Sequence, residues 1–355
     1  MLPISAPEGF LCGIVEGFYG RPWQHATRLL YAEFLAASGL NTCLYCPKDD
    51  PWLRRRWPEH WPEAQWRELR ALSAAYASAG IAWGVGLSPF ELYRNYGAVQ
   101  RRQLREKIGR LSELDAPLLA VLFDDMPGSL DVLAERQAEI VEDIAHWLPD
   151  TRLLVCPTYY SFDPALEQHF GEMPRDYWST LGRALPAAAD VFWTGNAVCS
   201  SSICEADIRA ITVELGRAVV LWDNYPVNDG ATRSNFLYTS PLSGRSTALR
   251  PLLRGHLCNP MNQAMLSLPA LAGLVKLYRE EPLHDETLAS LLGVEFWDLL
   301  QRDRTRFECE GLTKIGQPER RVLAGEYASL SGPGAQEVAA WLRGEYAFDP
   351  ACLTG

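Results

Sequence analysis

Asp124 and Asp125 stand side by side behind the apolar run Leu118–Phe123, and a Pro-Gly break follows at Pro127-Gly128. An apolar run of that length, bounded by turn residues, predicts a fully buried strand of a parallel sheet. In α/β folds, ligands and chemistry collect at the carboxyl ends of such strands. Successive side chains of a strand face opposite ways. Both carboxylates therefore reach one pocket only if the backbone turns there, as Pro127-Gly128 lead one to expect. The plain alternative for such a pair is a helix N-terminal region, where acidic residues are common.

Paired carboxylates suit general acid–base work. Most glycoside hydrolases set theirs about 5–10 Å apart on opposite sides of the scissile bond. Neighbours at one strand end do not fit that arrangement easily. They do fit the substrate-assisted variant, in which a 2-acetamido group of the sugar is the nucleophile. One carboxylate then holds the acetamido N–H and stabilises a cyclic oxazoline. The other protonates the leaving oxygen and later activates water. Both tasks fall on the same side of the sugar.

The other strand ends add Gly17 and Tyr19, Lys48, Tyr160, Thr194, Trp222 with Asn224 and Asp229, and Asn259. Amides, a phenol and an indole beside carboxylates suit a sugar. Its hydroxyls need polar partners, and its apolar ring face stacks on an aromatic. A magnesium site is the competing reading, with Asp124, Asp125 and Asp229 as ligands.

These residues need a scaffold that brings strand ends together. A unit recurs along the chain: an amphipathic helix, a Gly or Pro, then a short apolar strand ending in polar residues. Strands are expected at Phe10–Gly17, Thr42–Cys46, Ala82–Leu87, Leu118 onward, Leu153–Cys156, Val191–Trp193, Ala218–Trp222 and His256–Cys258. Helices are expected at His25–Ser38, Glu63–Ala79, Tyr177–Leu185 and Glu205–Leu215, around Leu104–Leu111 and Ile140–Leu148, and from near Gln263. Only a short helical piece, Ser246–Leu253, is visible between the last two strands. Eight alternating units predict a (β/α)8 TIM-type barrel over residues 9–280. A doubly wound open sheet is the alternative, but Gly84-Val-Gly86 lacks the third glycine of a dinucleotide fingerprint. No phosphate-binding loop or G-x-S-x-G elbow is present. From 281 to 355 the alternation gives way to a small C-terminal helical segment.

The net charge of −11 argues against nucleic acid or an anionic membrane as partner. No apolar run reaches the ~18–20 residues of a membrane span. The opening MLPISAPEGF has neither a basic region nor a long apolar core, so no secretory leader is expected. Nine scattered cysteines, an odd number, suggest reduced thiols and a cytoplasmic location. Cys43-Leu-Tyr-Cys46 lies inside a strand and has no second pair, so it reads as core.

The motifs Glu16-Gly-Phe-Tyr-Gly-Arg-Pro-Trp23, Tyr45-Cys-Pro-Lys-Asp-Asp50, Leu122-Phe-Asp-Asp125 and Cys156-Pro-Thr-Tyr-Tyr160 follow one another along the chain. Trp193-Thr-Gly195, Trp222-Asp-Asn224 with Asn228-Asp229, and Asn259-Pro260 complete the series. In this order they resemble glycoside hydrolase family 84, the O-GlcNAcases and related bacterial β-N-acetylglucosaminidases. The resemblance covers roughly residues 9–280. It implies a retaining exo-β-N-acetylglucosaminidase without metal or other cofactor, acting on a GlcNAc-bearing protein or glycan. By motif, Asp124 would orient the acetamido group and Asp125 would be the general acid/base. Tyr160 would bond the reacting acetamido oxygen, and Cys156, Thr194 and Trp222 would line the pocket for its methyl. Gly17 (through its backbone), Lys48, Asn224, Asp229 and Asn259 would hold sugar hydroxyls. A catalytically silent GlcNAc-binding protein on the same barrel is the rival, though a lectin needs no general acid. The stretch Gly230–Arg245 departs from the family pattern. The loop Pro51–Trp61, rich in Arg and Trp, reads as solvated, with aglycone contact as the alternative.

Overall fold

The apolar runs form eight parallel strands. They are β1 (Leu11–Glu16), β2 (Thr42–Tyr45), β3 (Ala82–Leu87), β4 (Leu118–Leu122), β5 (Arg152–Cys156), β6 (Asp190–Trp193), β7 (Val219–Asp223) and β8 (Gly255–Cys258). The computed structural model describes residues 9–279, 283–346 and 348–354. Each strand pairs with the next, and β8 pairs back onto β1 with Leu11 opposite Gly255, so the sheet closes into a barrel. The strands are buried on both faces, which explains why they read as continuous apolar runs rather than alternating ones. Gly86 in β3 belongs to this packing and not to a phosphate loop: a Cβ there would lie 2.3 Å from Cys46 Sγ.

Helices cover the outside. Glu63–Ser78 buries Trp66, Leu69, Leu72 and Tyr76, one face at helical spacing. Glu205–Leu215 starts where Asp207 accepts the Cys204 backbone N–H at 2.8 Å and stops at Gly216, whose φ of 71° is the left-handed conformation that ends helices. Two pieces depart from the sequence-based expectation. A six-residue helix, Ala165–Phe170, lies between β5 and β6, and Thr247–Leu252 is a 3₁₀ helix carrying Pro251.

The loop Pro51–Trp61 is solvated on one side only, which corrects the sequence reading in part. Leu53, Arg54, Trp57 and Trp61 are buried, while Arg55, Arg56, Pro58, Glu59 and His60 face water. Trp61 donates its indole N–H to Asp50 at 2.9 Å. The Leu53 carbonyl accepts from the Ser88 amide at 2.8 Å, which ties the loop to the end of β3. Lys107, fully buried, sits 3.5 Å from the Trp61 ring centroid and donates to the Glu59 carbonyl at 2.8 Å.

The helix Ala264–Tyr278 is apolar all round because a further layer covers it. Helices at Asp285–Leu292, Val294–Cys309, Gly311–Lys314, Gln317–Ala328 and Pro333–Leu342 follow. The expected boundary at 280/281 and the leader question at residues 1–8 lie outside the described residues. Glu337 accepts the Met265 and Leu266 amides, both at 3.2 Å, at the start of the covered helix. The same layer holds the stretch 230–245. Trp341 Nε1 donates to the Ser234 carbonyl at 3.1 Å, and Glu308 accepts from Ser240 Oγ at 2.7 Å. At the end of that stretch Arg245 forks onto Asp223, with both bonds at 2.7 Å. Burial pushes the Asp223 carboxyl up, but the His256 ring nitrogen at 2.9 Å and the Arg245 charge outweigh it and hold it below the usual range. No helix among the described residues is long and apolar enough to cross a membrane.

Candidate active site

All eleven residues given roles by the family resemblance, and Tyr19 with them, line one cleft at the carboxyl ends of the strands. β4 delivers Asp124 and Asp125. The backbone turns at Asp125 itself, whose φ of 54° lies in the left-handed region. That turn, two residues before the expected Pro-Gly break, puts both carboxylates in one cleft.

β2 delivers Lys48, whose buried ammonium bonds Asp124 Oδ2 and stands 3.9 Å from Asp125 Oδ2. Burial alone would lower the lysine pKa, but the two facing carboxylates outweigh it and raise it. The second oxygen of Asp124, Oδ1, is buried and has no hydrogen-bond partner. Asp125 is gripped by two phenols: Tyr19 Oη donates to Oδ2 at 2.7 Å and Tyr160 Oη to Oδ1 at 3.2 Å. Burial and then the Asp125 charge push both tyrosines well above the usual range, so they remain donors.

The opposite wall is a chain of amides and an indole. Trp222 Nε1 donates to Asn224 Oδ1 at 3.0 Å, which also accepts from Asn259 Nδ2 at 3.0 Å. Asn224 Nδ2 donates to the Val198 carbonyl at 2.8 Å. Asn259 Oδ1 accepts the Gly17 amide at 3.2 Å, which joins the end of β8 to the end of β1. A Cβ on Gly17 would lie 2.3 Å from Trp222 Cζ2, so this glycine is required by the indole beside it. Asp229 accepts the Tyr19 amide at 2.8 Å; burial pushes its carboxyl up and that N–H pulls it back. Cys156 and Thr194 end β5 and β6 as buried side chains. Burial, then the Asp124 charge, push the Cys156 thiol up, so it presents a neutral sulfur to the cleft.

Sequence reasoning missed three contributors, Arg54, Cys352 and Thr354, and the role of a fourth, Tyr19. Tyr19 stood among the strand-end residues, but its bond to Asp125 had no sequence signal. Arg54 was hidden in an arginine run, yet its Nη2 donates to the Asp125 carbonyl at 2.9 Å. Cys352 and Thr354, far along the chain, also line the cleft, with Thr354 Oγ1 3.5 Å from Tyr160 Oη. Among the described residues no group of three or more His, Cys, Asp or Glu could hold a metal ion; the cation facing the carboxylate pair is Lys48.

A β-N-acetylglucosaminidase family model matches residues 12–294. The protein O-GlcNAcase of Rattus norvegicus is 32% identical over 283 residues, covering 76% of this chain and 30% of its own length. The protein O-GlcNAcase of Mus musculus is 32% identical over 280 residues, with the same coverage. The chain thus spans under a third of these relatives. A solved structure of a mutant Thermobaculum terrenum O-GlcNAc hydrolase superposes with a TM-score of 0.77 at 28% identity, covering 95% of this chain and 81% of that one. The matched region takes in every strand but the first residue of β1, and every cleft residue but Cys352 and Thr354. The chain belongs to the β-N-acetylglucosaminidase family, glycoside hydrolase family 84.

Proposed function

We propose that this chain is a retaining exo-β-N-acetylglucosaminidase that removes terminal β-linked GlcNAc from Ser or Thr of proteins by substrate-assisted catalysis. The observation that carries the reading is the orphaned Asp124 Oδ1 beside Asp125. A buried carboxylate oxygen without a donor is costly. The acetamido N–H of a bound GlcNAc would supply the missing donor.

In the first step the acetamido oxygen attacks C1 and the bond from C1 to the leaving oxygen breaks. Asp125 gives its proton to that oxygen. Asp124, held by Lys48, accepts the acetamido N–H and stabilises the positive charge of the oxazolinium. In the second step Asp125 takes a proton from water, water attacks C1 on the face the aglycone left, and the acetamido group is restored. Two displacements retain the anomeric configuration. Tyr160 turns its hydroxyl to the acetamido oxygen, while Cys156, Thr194 and Trp222 enclose the methyl group. Lys48 has donors to spare after Asp124, and with Asn224, Asp229, Asn259 and the Gly17 backbone it holds the sugar hydroxyls. The substrate class rests on the names of the mammalian relatives. A cytoplasmic location is supported by nine free thiols, most of them buried.

The test compares an aryl β-GlcNAc with its N-trifluoroacetyl analogue. Fluorine weakens the acetamido oxygen as a nucleophile, so the rate falls steeply. A rate indifferent to fluorine overturns the mechanism, and binding of GlcNAc without hydrolysis of either compound overturns the activity. Asp124→Asn impairs cyclisation whatever the leaving group; unchanged rates would remove Asp124 from its role.

A further inference from the structure

Asp125 aims its carboxylate from a backbone conformation that non-glycine residues rarely adopt. Its carbonyl is held by a neighbour that comes from a different strand end. Arg54, 6% exposed, projects from the loop between β2 and the helix Glu63–Ser78. Its Nη2 donates to the Asp125 backbone carbonyl at 2.9 Å, and its Nη1 donates to Ser88 Oγ at 2.9 Å, beyond the end of β3. The guanidinium lies 5.2 Å from the Phe90 ring centroid, which fixes its plane. One rigid fork therefore ties the ends of β2, β3 and β4 together.

We propose that Arg54 is a positioning residue for the general acid/base. By clamping the Asp125 carbonyl it fixes the left-handed turn that brings the carboxylate onto Tyr19 and Tyr160. The inference rests on Asp125 being the acid/base. Arg54 works from the backbone side of Asp125, while the two phenols bond its carboxylate. Losing Arg54 therefore spoils proton delivery and leaves sugar binding in place. Arginine is needed because the two acceptors call for two donors at fixed spacing, whereas a lysine offers a single compact charge.

The experiment is a leaving-group series of aryl β-GlcNAc substrates with wild type, Asp125→Asn, Arg54→Met and Arg54→Lys. Acid assistance is worth about 10²–10⁴-fold and matters most for basic leaving groups. Arg54→Met is expected to lose about 10–100-fold in kcat/KM on phenyl-type substrates, a part of that assistance, and under about threefold on dinitrophenyl. Its KM stays within about twofold on the best substrates. Arg54→Lys recovers part of the lost slope. An equal loss across the series, or a raised KM with an unchanged slope, overturns the proposal. If Asp125→Asn itself shows no steepened slope, the acid assignment falls and the Arg54 role falls with it. If Asp125→Asn is steep and Arg54→Met is flat, only the Arg54 role fails. Should Arg54→Met not fold, Ser88→Ala frees one tine of the fork, and a slope identical to wild type then counts against the clamp.

A second inference has a separate basis in residues 348–354. Thr354 lies against Tyr160, the Cys352 thiol lies beside Asp229, and Asp349 meets Asp49 at the rim. With them in place the cleft encloses about 40 Å³. That is room for only a few waters, far below the ~300–1,000 Å³ of ligand pockets. We infer that this segment is a built-in occupant which the sugar must displace. Ending the chain after Glu345 is expected to lower the KM of a small aryl β-GlcNAc at least about threefold with kcat unchanged, since a competing occupant taxes binding alone. A synthetic peptide of residues 346–355 then inhibits the shortened chain competitively. An unchanged KM, or a peptide without effect, overturns the inference. Cys352→Glu, which sets a carboxylate against Asp229, repeats the test without removing residues; the same fall in KM is expected, and an unchanged KM counts against the inference.

Discussion

Gly17→Ala tests how tightly the cleft wall is built. The new Cβ would lie 2.3 Å from Trp222 Cζ2 and 2.7 Å from Cη2. Ordinary carbon contacts are about 3.5–4.0 Å, so the indole must retreat by about 1.2 Å or more. Its way back is blocked by Phe192, packed edge-on with centroids 5.2 Å apart, and its Nε1 is committed to Asn224 at 3.0 Å. Overpacking of this kind costs about 1–3 kcal/mol, and loss of the indole hydrogen bond adds about 1. A stability loss of roughly 2–4 kcal/mol is therefore expected in urea unfolding. A displacement of about 1 Å at a site wall is expected to cost about 10²-fold in kcat/KM on an aryl β-GlcNAc. The cause is isolated by a double-mutant cycle with Trp222→Phe, which removes the benzo edge that clashes. In that background the alanine should cost at least about 1 kcal/mol less than in wild type. Additive behaviour in the cycle, or a Gly17→Ala protein within about 0.5 kcal/mol and twofold of wild type, would refute the argument.

Lys48→Met leaves Asp124 as a buried carboxylate without its cation and should destabilise the chain by about 3–5 kcal/mol. Adding Asp124→Asn should restore most of that stability in urea titrations while activity stays lost. Burial lowers the Lys107 pKa from 10.5 to about 7, so the folded chain binds fewer protons than the unfolded one between those values. Stability should accordingly rise with pH from about 7 toward 9.5, relative to Lys107→Met, and a gap between the two proteins that does not change with pH would count against a desolvated Lys107. EDTA should leave turnover unchanged, because Lys48 stands against both carboxylates where a divalent ion would have to sit; inhibition reversed by magnesium would revive a metal role.

The barrel was legible because its strands are apolar on both faces and its helices carry one apolar stripe each. A run such as Leu118–Leu122 can hardly be anything but a buried parallel strand once Asp and Pro-Gly end it. The cleft was legible for the same reason: strand ends fall where the apolar runs stop, so Lys48, Tyr160, Trp222 and Asn259 could be picked out before their neighbours were known. What stayed hidden depends on contacts between distant segments. Arg54 sits beside Arg55 and Arg56 in the chain, and nothing local distinguishes the arginine that turns inward to a carbonyl 71 positions away. The left-handed backbone at Asp125 is one that aspartate tolerates better than most residues, but nothing local says which aspartate adopts it. The Ser246–Leu253 piece became a 3₁₀ helix because Pro251 cannot donate to an α-helical ladder. Thr354 reaches the cleft through a short segment with no periodic pattern at all.

The amide of Gly17 and the side chain of Asn259 meet across 242 positions of sequence, one just beyond the first strand and the other just beyond the last. They stand at the seam where the ring of strands shuts. Pairing of β8 with β1 also sets Asn259 against Gly17, so closure of the ring and completion of this wall of the cleft are one event. A ligand that bridged the two residues would act as a rivet across the seam, tying the first strand to the last.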